Sequence, residues 1–366
     1  MVIKKDVLNY ATKGFLREQD STNDLTNSLK STYDGYAATI ANKVDKVAGK
    51  ALSTNDLTDA LKGNYDSAYS DALASRQGLD RIYDGVNLAT KFATEIAASP
   101  YNGDVWAWIK ARTQAGNFTG IHVGDYIPVS LGAGTAGGYT ISAQTFNAQI
   151  AGIDTYWGYG DTAIVHHIDF ITKTCMNTAI QYQPNDNNNG TVENNNPWLS
   201  SKLYAVLNGV NNYSTNAFNS VAHGIDASAG GILQLLPAAL QNAIIQKRQL
   251  VESRYSVSGL LTTSNSFAWA DTGKLWLPNE VEVYGTQIWS HVYSNGNAVQ
   301  YPLFVGAAGY KGRLKTNSSS SRVYWWLSAV YSGNSTYACT VNSTGYANNN
   351  TCSYTGIYVP LCFRIG

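Results

Sequence analysis

The chain has 366 residues with 25 basic and 25 acidic side chains, a formal net charge of zero, and only 14% charged residues against 12% aromatic. Neutrality removes the global field that recruits nucleic acid or an anionic membrane. The four cysteines, with no CxxC pair among them, fit neither a disulfide scaffold nor a zinc finger.

The N-terminal stretch MVIKKDVLNYATKGF has two lysines but no apolar run behind them, so it is no secretory signal. No segment approaches the roughly 20 apolar residues of a membrane span. Synthesis and assembly in the cytoplasm of the producing cell are therefore expected. Residues 1–95 hold 12 of the 25 basic and 13 of the 25 acidic residues, whereas all 8 prolines and all 9 tryptophans lie beyond residue 99. A domain boundary is expected near Ser99–Gly103.

Within the charged part, STNDLTNSLKSTYDGY (21–36) returns as STNDLTDALKGNYDSAY (53–69), 32 residues later. Each copy opens with a Ser-Thr-Asn-Asp cluster ahead of a helical pattern, which reads as a helix cap. Beyond it, Tyr65, Ala68, Ala72, Ser75, Leu79, Ile82, Val86, Ala89, Ala93 and Ile96 recur at spacings of three and four, a narrow heptad stripe best buried against copies of itself. Residues 1–98 are thus expected to form a helical, coiled-coil-like stalk in a homotrimer. The alternative is a helix packed on its own domain.

From residue 100 the pattern turns to short apolar or alternating runs punctuated by glycine. GDYIPVSL and GYTISAQTF read as two strands joined by LGAGTAGG, and residues 150–176 supply two more. After the NDNNNGTVENNN loop (185–196), PWLSSKLYAVLNGV and GGILQLLPAALQNAIIQKRQL carry helical periodicity. KLWLPNEVEVYG, YPLFVGA and the C-terminal pair return to strand character. The sum is an α+β chain with a mixed α/β head.

The residues that carry chemistry elsewhere fall in unpromising patterns. His166 and His167 are adjacent on a strand, where neighbours point to opposite faces, so they cannot share one ion: one inward and one outward ring is expected. Asp154, Asp161 and Asp169 match no calcium loop. Glu280 and Glu282 share a face if NEVEVYG is a strand, with no cleft to make them an acid–base pair. Gly132, Gly134, Gly137 and Gly138 are followed by no Lys-Ser/Thr and form no phosphate loop. No cysteine has a basic, activating context. No enzyme activity, cofactor or metal is expected.

No charge lies between Arg322 and Arg364, and of the 28 residues Tyr331–Tyr358, 19 are Asn, Ser, Thr or Tyr. The apolar VPLCFRIG that follows needs a partner within a sheet, so the polar tract is expected to be ordered. Strands are expected at Tyr337–Val341 and Tyr354–Arg364, with turns at Ser343–Asn350. Tyr supplies contact area at small entropic cost while Ser, Asn and Thr adapt their hydrogen bonds, which is the logic of an antibody paratope.

The order IAGIDTYWGYGDTAIVHHIDFI, LWLPNEVEVYG and YWWLSAV…GIYVPLCFRIG resembles a phage and prophage family with a C-type-lectin-like terminal domain, and VDKVAGKALSTNDLTDALK (44–62) resembles a segment of phage tail fibre proteins. The C-terminal tract is also similar to the variable region of proteins diversified by retroelements. These resemblances imply a C-type-lectin-like head over 100–366, with 315–366 as its variable region. Val323, Tyr324, Tyr331, Thr336, Tyr337, Thr340, Thr344, Tyr346, Thr351, Ser353, Tyr354, Thr355 and Ile357 would then face the ligand, and Trp325, Trp326, Leu327, Asn348, Pro360 and Ile365 would form the frame. The implied protein is a tail adhesin on the virion, held to other tail proteins through its N-terminal region and bound to a bacterial cell-surface receptor, protein or glycan, without inserting into a membrane. The rival expectations are a surface-glycan hydrolase or a formylglycine-generating-type enzyme, and a structural virion decoration protein.

Overall fold

The computed structural model describes residues 27–41, 59–80, 85–191, 194–212, 224–225, 227, 230–256, 261–291 and 298–366. The chain divides into two compact units, Met1–Leu73 and Ala74–Gly366.

In the first unit, α1 (Asn27–Ala41) and the start of α2 (Asp59–Asp80) are the helical parts of the two repeat copies. The repeat is visible in their side chains: Lys30 pairs with Asp34 at 2.8 Å and Lys62, 32 positions on, pairs with Asp66 at 2.6 Å. Both pairs are i,i+4 and exposed, so each adds only about 0.3–0.5 kcal/mol. The capping clusters at 21–24 and 53–56 lie outside the described residues, as does Ile82 of the stripe.

The stripe does not continue as one helix. Gly85 takes a left-handed φ of 76°, and the next helical pieces, α3 (Leu88–Lys91) and α4 (Ala93–Ala97), restart behind the side-chain cap of Asn87. Leu88 and Ile96 are buried in the core of the second unit, and Asn87 bridges to Tyr126. Residues 85–98 therefore belong with the head rather than with a stalk, which corrects the boundary expected at 98–100.

The head is built on a five-stranded sheet in the order β1 (Tyr126–Leu131), β4 (Gln144–Ile153), β5 (Ile168–Cys175), β12 (Pro360–Ile365), β6 (Ile244–Ile245), every pair antiparallel. The strand expected to pair with GDYIPVSL lies further along. β1 meets β4, with Leu131 opposite Gln144, and between them β2 (Gly134–Ala136) and β3 (Tyr139–Ile141) form a separate small hairpin. Gly137 and Gly138 make its turn with φ of 52° and 84°, the conformation that favours glycine in two-residue hairpins.

β12 is buried along its whole length, so both faces of the sheet are covered there. Alternate residues point to opposite sides. On one side Phe170 stacks on Phe363 at 5.2 Å and Trp106 of α5 (Val105–Gln114) meets both edge-on. On the other side, one register step away, Asp169 stands opposite Arg364.

The rest of the head adds α6 (Lys202–Asn208), α7 (Ala238–Ala243), and a hairpin of β7 (Arg248–Ser253) with β8 (Ser266–Asp271). RQL (248–250) is thus strand rather than helix. NEVEVYG corrects in the opposite sense. It is the helix α8 (Glu280–Tyr284), because Asn279 accepts from Glu282 N–H and the Glu282 carboxylate accepts from Asn279 N–H, a reciprocal cap that outweighs the alternating pattern. α9 (Gly306–Arg313) leads to a second sheet, β9 (Trp325–Val330), β10 (Tyr337–Val341) and β11 (Ala347–Thr351), in the order β11–β10–β9. Asn348–Asn350, expected in a turn, is strand paired with β10.

Candidate functional site

β9, β10 and β11 carry the polar tract. Their foundation is apolar: Trp325, Trp326 and Leu327 are fully buried, as are Pro360 and Ile365. Each indole is also tied by a hydrogen bond, Trp325 Nε1 donating to Arg313 O at 3.0 Å and Trp326 Nε1 to Ile180 O at 2.8 Å. Of the expected frame residues only Asn348 is half-exposed.

The structure sorts the thirteen expected ligand-facing residues into three groups. Thr344, Tyr346, Tyr354 and Thr355 are exposed, with Tyr346 at 64% and Tyr354 at 49%. Tyr324, Tyr331, Thr336, Tyr337, Thr351 and Ser353 are half-buried. Val323, Thr340 and Ile357 are buried, at 7%, 0% and 0%, and present nothing to a ligand. Thr340 lies on β10, which is buried on both faces from Ala338 to Val341 and pairs there with Trp326, and Val323 and Ile357 flank β9 and β12 and pack in the core.

Local hydrogen bonds set the exposed turns. Asn342 Oδ1 accepts from Thr344 N–H, Thr344 O–H and Tyr346 N–H at 2.8–3.0 Å, the Asx arrangement that fixes a turn through the side chain. Asn334 Oδ1 does the same for Thr336. The Tyr354 ring lies so close to Gly356 that a Cβ there would sit 2.8 Å from it. Tyr331 meets Trp289 at 5.3 Å and Tyr337 at 6.4 Å, both edge-on.

Beneath these turns runs a buried polar scaffold that sequence reasoning treated as a plain loop. Asn187, Asn188 and Asn189 are buried. Asn188 Nδ2 donates to Asn334 O and Tyr337 O, both at 2.7 Å, and its Oδ1 accepts from Arg254 at 3.0 Å. Arg254 also donates to Tyr331 O and to Glu252. One asparagine and one arginine thereby hold both ends of the 331–337 turn. Glu280 accepts from the backbone N–H of Ile288, Trp289 and Ser290 and from the Ser290 hydroxyl, so the segment carrying Trp289 is fixed as well.

The face is bordered by groups the sequence did not associate with it. Asp186, an exposed carboxylate, accepts from Ser353 N–H and O–H. Tyr310 meets Tyr346 at 6.2 Å, and the Arg313 guanidinium lies over both Tyr310 and Tyr284. No sequence signal joined these, because the contacts span α9 or the Asn-rich loop.

Several other titratable groups are paired in the core. Asp169 and Arg364 make two bonds of 2.7 Å, and Tyr301 donates to Asp169 at 2.9 Å. Glu282 accepts from Tyr156 and pairs with Lys247, whose ammonium lies 3.9 Å over Trp276. Burial pushes the Asp169 carboxyl up, but the charge and hydrogen bonds of Arg364 outweigh it and hold the carboxyl below the usual range. His167 is buried and His166 half-exposed, stacked on Trp157 at 3.7 Å with its Nδ1 2.7 Å from Asp154. All four cysteines are free and buried, and burial pushes the Cys175 thiol up to about 12 and also raises those of Cys339, Cys352 and Cys362. Among the described residues no group of three His, Cys, Asp or Glu side chains could hold a metal ion, and no helix is long and apolar enough to cross a membrane.

No curated protein and no solved structure matches the chain. A family model described as a domain of unknown function, DUF6273, matches residues 169–365. That span begins at Asp169 and contains its partner Arg364, the polar scaffold and the whole of the second sheet. It covers more than half of the 366 residues: the chain belongs to the DUF6273 family.

Proposed function

We propose that the head is a C-type-lectin-like adhesin domain of a phage tail, which binds a bacterial surface receptor through the Tyr/Asn/Ser/Thr face of β10, β11 and their turns. The observation that carries this reading is the pairing of exposed Tyr346 and Tyr354 with a support that is rigid and buried. Aromatic contacts offered from pre-ordered backbone lose little entropy on binding. Tolerance follows from the same design, since the turns are held through Asn334, Asn342, Asn188 and Arg254, so the exposed residues can change without loss of the frame. On this reading the region is diversified by a retroelement, the residues N-terminal to the head join it to other tail proteins as a trimeric stalk, and several heads per virion raise avidity.

The enzymatic rivals find less support. Glu280 and Glu282 are both buried and saturated with hydrogen bonds and an ion pair, and the thiols are shifted away from the nucleophilic thiolate. The decoration-protein rival predicts that the same face is covered by a neighbouring subunit.

The test is flow cytometry of the fluorescently labelled full chain on a panel of bacterial strains. Tyr346→Ala/Tyr354→Ala should abolish labelling of the strains that bind, with less than about 1 kcal/mol of lost stability. Undiminished labelling by the double variant rejects the face. Sequencing downstream of the gene tests diversification: a near-copy of the codons for residues 315–366, with adenines at the exposed positions, beside a reverse transcriptase is the expected result.

A further inference from the structure

The loop 154–165 joins β4 to β5 and carries Trp157, Tyr159 and Val165, all exposed. It opens with a left-handed residue that is not glycine, Asp154 with a φ of 50°. Such a backbone persists only where its surroundings hold it, and here two histidines do so. The Asp154 N–H donates to His167 O at 2.9 Å, and the His167 N–H donates to Asp154 Oδ1 at 2.8 Å. His166 Nδ1 lies 2.7 Å from Asp154 Oδ2. Two residues into the loop, the Tyr156 N–H donates to His167 Nε2 at 3.2 Å. The tip is tied separately, by two bonds from Arg248 to Asp161 at 2.6 and 2.7 Å.

Both nitrogens of the buried His167 ring are committed. Nδ1 is 2.8 Å from Val165 O, which can only accept, so Nδ1 carries the hydrogen and Nε2 receives the Tyr156 N–H on its lone pair. A proton added at Nε2 sets N–H against N–H and breaks the bond that holds the stem of the loop. The charged surroundings do not offset that loss. Asp154 Oδ1 is 3.9 Å from Nδ1 and Asp169 Oδ2 is 4.0 Å from Nε2, and both favour a cation. Asp169, however, is already held by Arg364 and Tyr301. Glu282 is engaged by the Tyr156 hydroxyl and by Lys247, and His166 stands on the far side of Asp154. Burial, with the Arg364 charge behind it, prevails and lowers the His167 pKa.

We propose that His167 is an acid-released latch on this loop: neutral, it pins the Asp154–Tyr156 stem to the start of β5, and protonated it frees the Tyr156 amide and lets the stem open. Histidine is the side chain whose charge changes between pH 5 and 8, and its protonation at a committed acceptor biases a two-state element. The tip stays tied in that range, because the bond to Arg248 holds the Asp161 carboxyl below its usual value. Opening is therefore confined to the stem, with the aromatic residues just beyond it. The latch uses none of the tyrosines of the receptor face and stands or falls apart from that reading.

The test is amide hydrogen exchange of the full chain between pH 7.5 and 5, corrected for the intrinsic pH dependence of exchange. Opening coupled to one proton grows up to tenfold per pH unit below about 6.5, the value of a free histidine. The amides of Asp154 and Tyr156 should therefore exchange roughly five- to tenfold faster at pH 5 than at pH 6, while those of β5 and β12 hold. His167→Gln keeps an acceptor and a donor on the side chain but nothing that titrates, and should remove the response. His166→Asn, which removes the neighbouring ring, should leave it. A readout that needs no variant is nitrogen NMR of the histidine-labelled chain at pH 7.5, where His167 should carry its hydrogen on Nδ1 and none on Nε2. The proposal is overturned if the hydrogen is on Nε2, if loop exchange does not respond to pH, or if β5 and β12 open together with the loop. It is equally overturned if the response survives in His167→Gln or disappears in His166→Asn.

Discussion

Replacing Arg364 by Met is expected to be the most damaging single substitution in the head that creates no large cavity. The guanidinium makes two charge-assisted bonds of 2.7 Å to Asp169, and both residues are at most 1% exposed. Bonds to charged groups contribute about 1.5–3 kcal/mol each, which gives about 3–6 kcal/mol, in line with the roughly 3–5 kcal/mol for leaving one partner of a buried pair unpaired. For a domain of this size each kcal/mol moves the melting temperature by about 2–4 °C, so a fall of roughly 6–24 °C is expected. The informative control is the triple variant Asp169→Leu/Arg364→Met/Tyr301→Phe, which also removes the hydroxyl that donates to Asp169 and leaves no orphan of the triad. It should regain most of the loss, as buried pairs replaced by apolar residues do. Both variants are compared by urea and thermal unfolding followed in the near-UV, where the buried tryptophans report. A loss under about 1 kcal/mol in Arg364→Met, or a triple variant less stable than the single, would falsify the view that the pair is costly to break rather than indispensable to have.

Stability should also fall as pH drops from about 6.5 toward 5. Burial and the nearby Arg364 charge lower the His167 pKa, so in that window the unfolded chain takes a proton that the folded chain refuses, and stability is fully present only above the unfolded value. His167→Gln should flatten this segment of a stability–pH curve. A second loss belongs to Asp169, whose lowered pKa makes its contribution present above about pH 4 and lost below it. Asn188→Ala should cost about 2–4 kcal/mol by freeing Asn334 O, Tyr337 O and Arg254, and amide exchange at 331–337 should accelerate more than at β12. Lys315 is buried with Nζ donating to Thr172 O at 2.6 Å, and burial lowers its pKa. Lys315→Met should therefore be neutral or stabilising at pH 7, and a drop of several degrees in melting temperature would show the amine to be better solvated than its surroundings suggest.

The parts of the fold that were legible in the sequence share one property: their signal is local. The glycine-rich run 132–138 had to turn, and the apolar stretches WWL and PLCFRI had to be core; His166 is half-exposed and His167 buried as expected, but both precede β5 rather than lying on it. The misreadings arose where two local signals competed or where the partner was distant. Alternating Val and Glu in NEVEVYG suggested a strand, yet Asn279 three residues before Glu282 is a capping box and the stronger of the two signals. Val86 to Ile96 continue a heptad spacing that Gly85 and Asn87 interrupt. Asn187–Asn189 look like surface because asparagine is usually exposed. They are buried because their amides satisfy backbone groups that are 73 and about 146–149 residues away in the chain. Asp169 and Arg364 each stood alone in an apolar run, and 195 residues separate them, so nothing local could pair them. The exposed tyrosines were found by composition, but composition has no side, and so Val323, Thr340 and Ile357 were drawn in with them.

The position of β12 has a consequence for how variants of this protein would be sorted. The strand lies between β5 and β6, brings the arginine of the central ion pair, and follows the polar tract in the chain. A frameshift or stop codon anywhere in residues 331–358 therefore deletes an interior strand, not an edge, and leaves Asp169 buried without its cation. Such a chain cannot close its sheet and is expected not to fold. Missense changes on the exposed turns leave β12 in frame and pass. The fold thus acts as a reading-frame filter placed directly after the exposed turns.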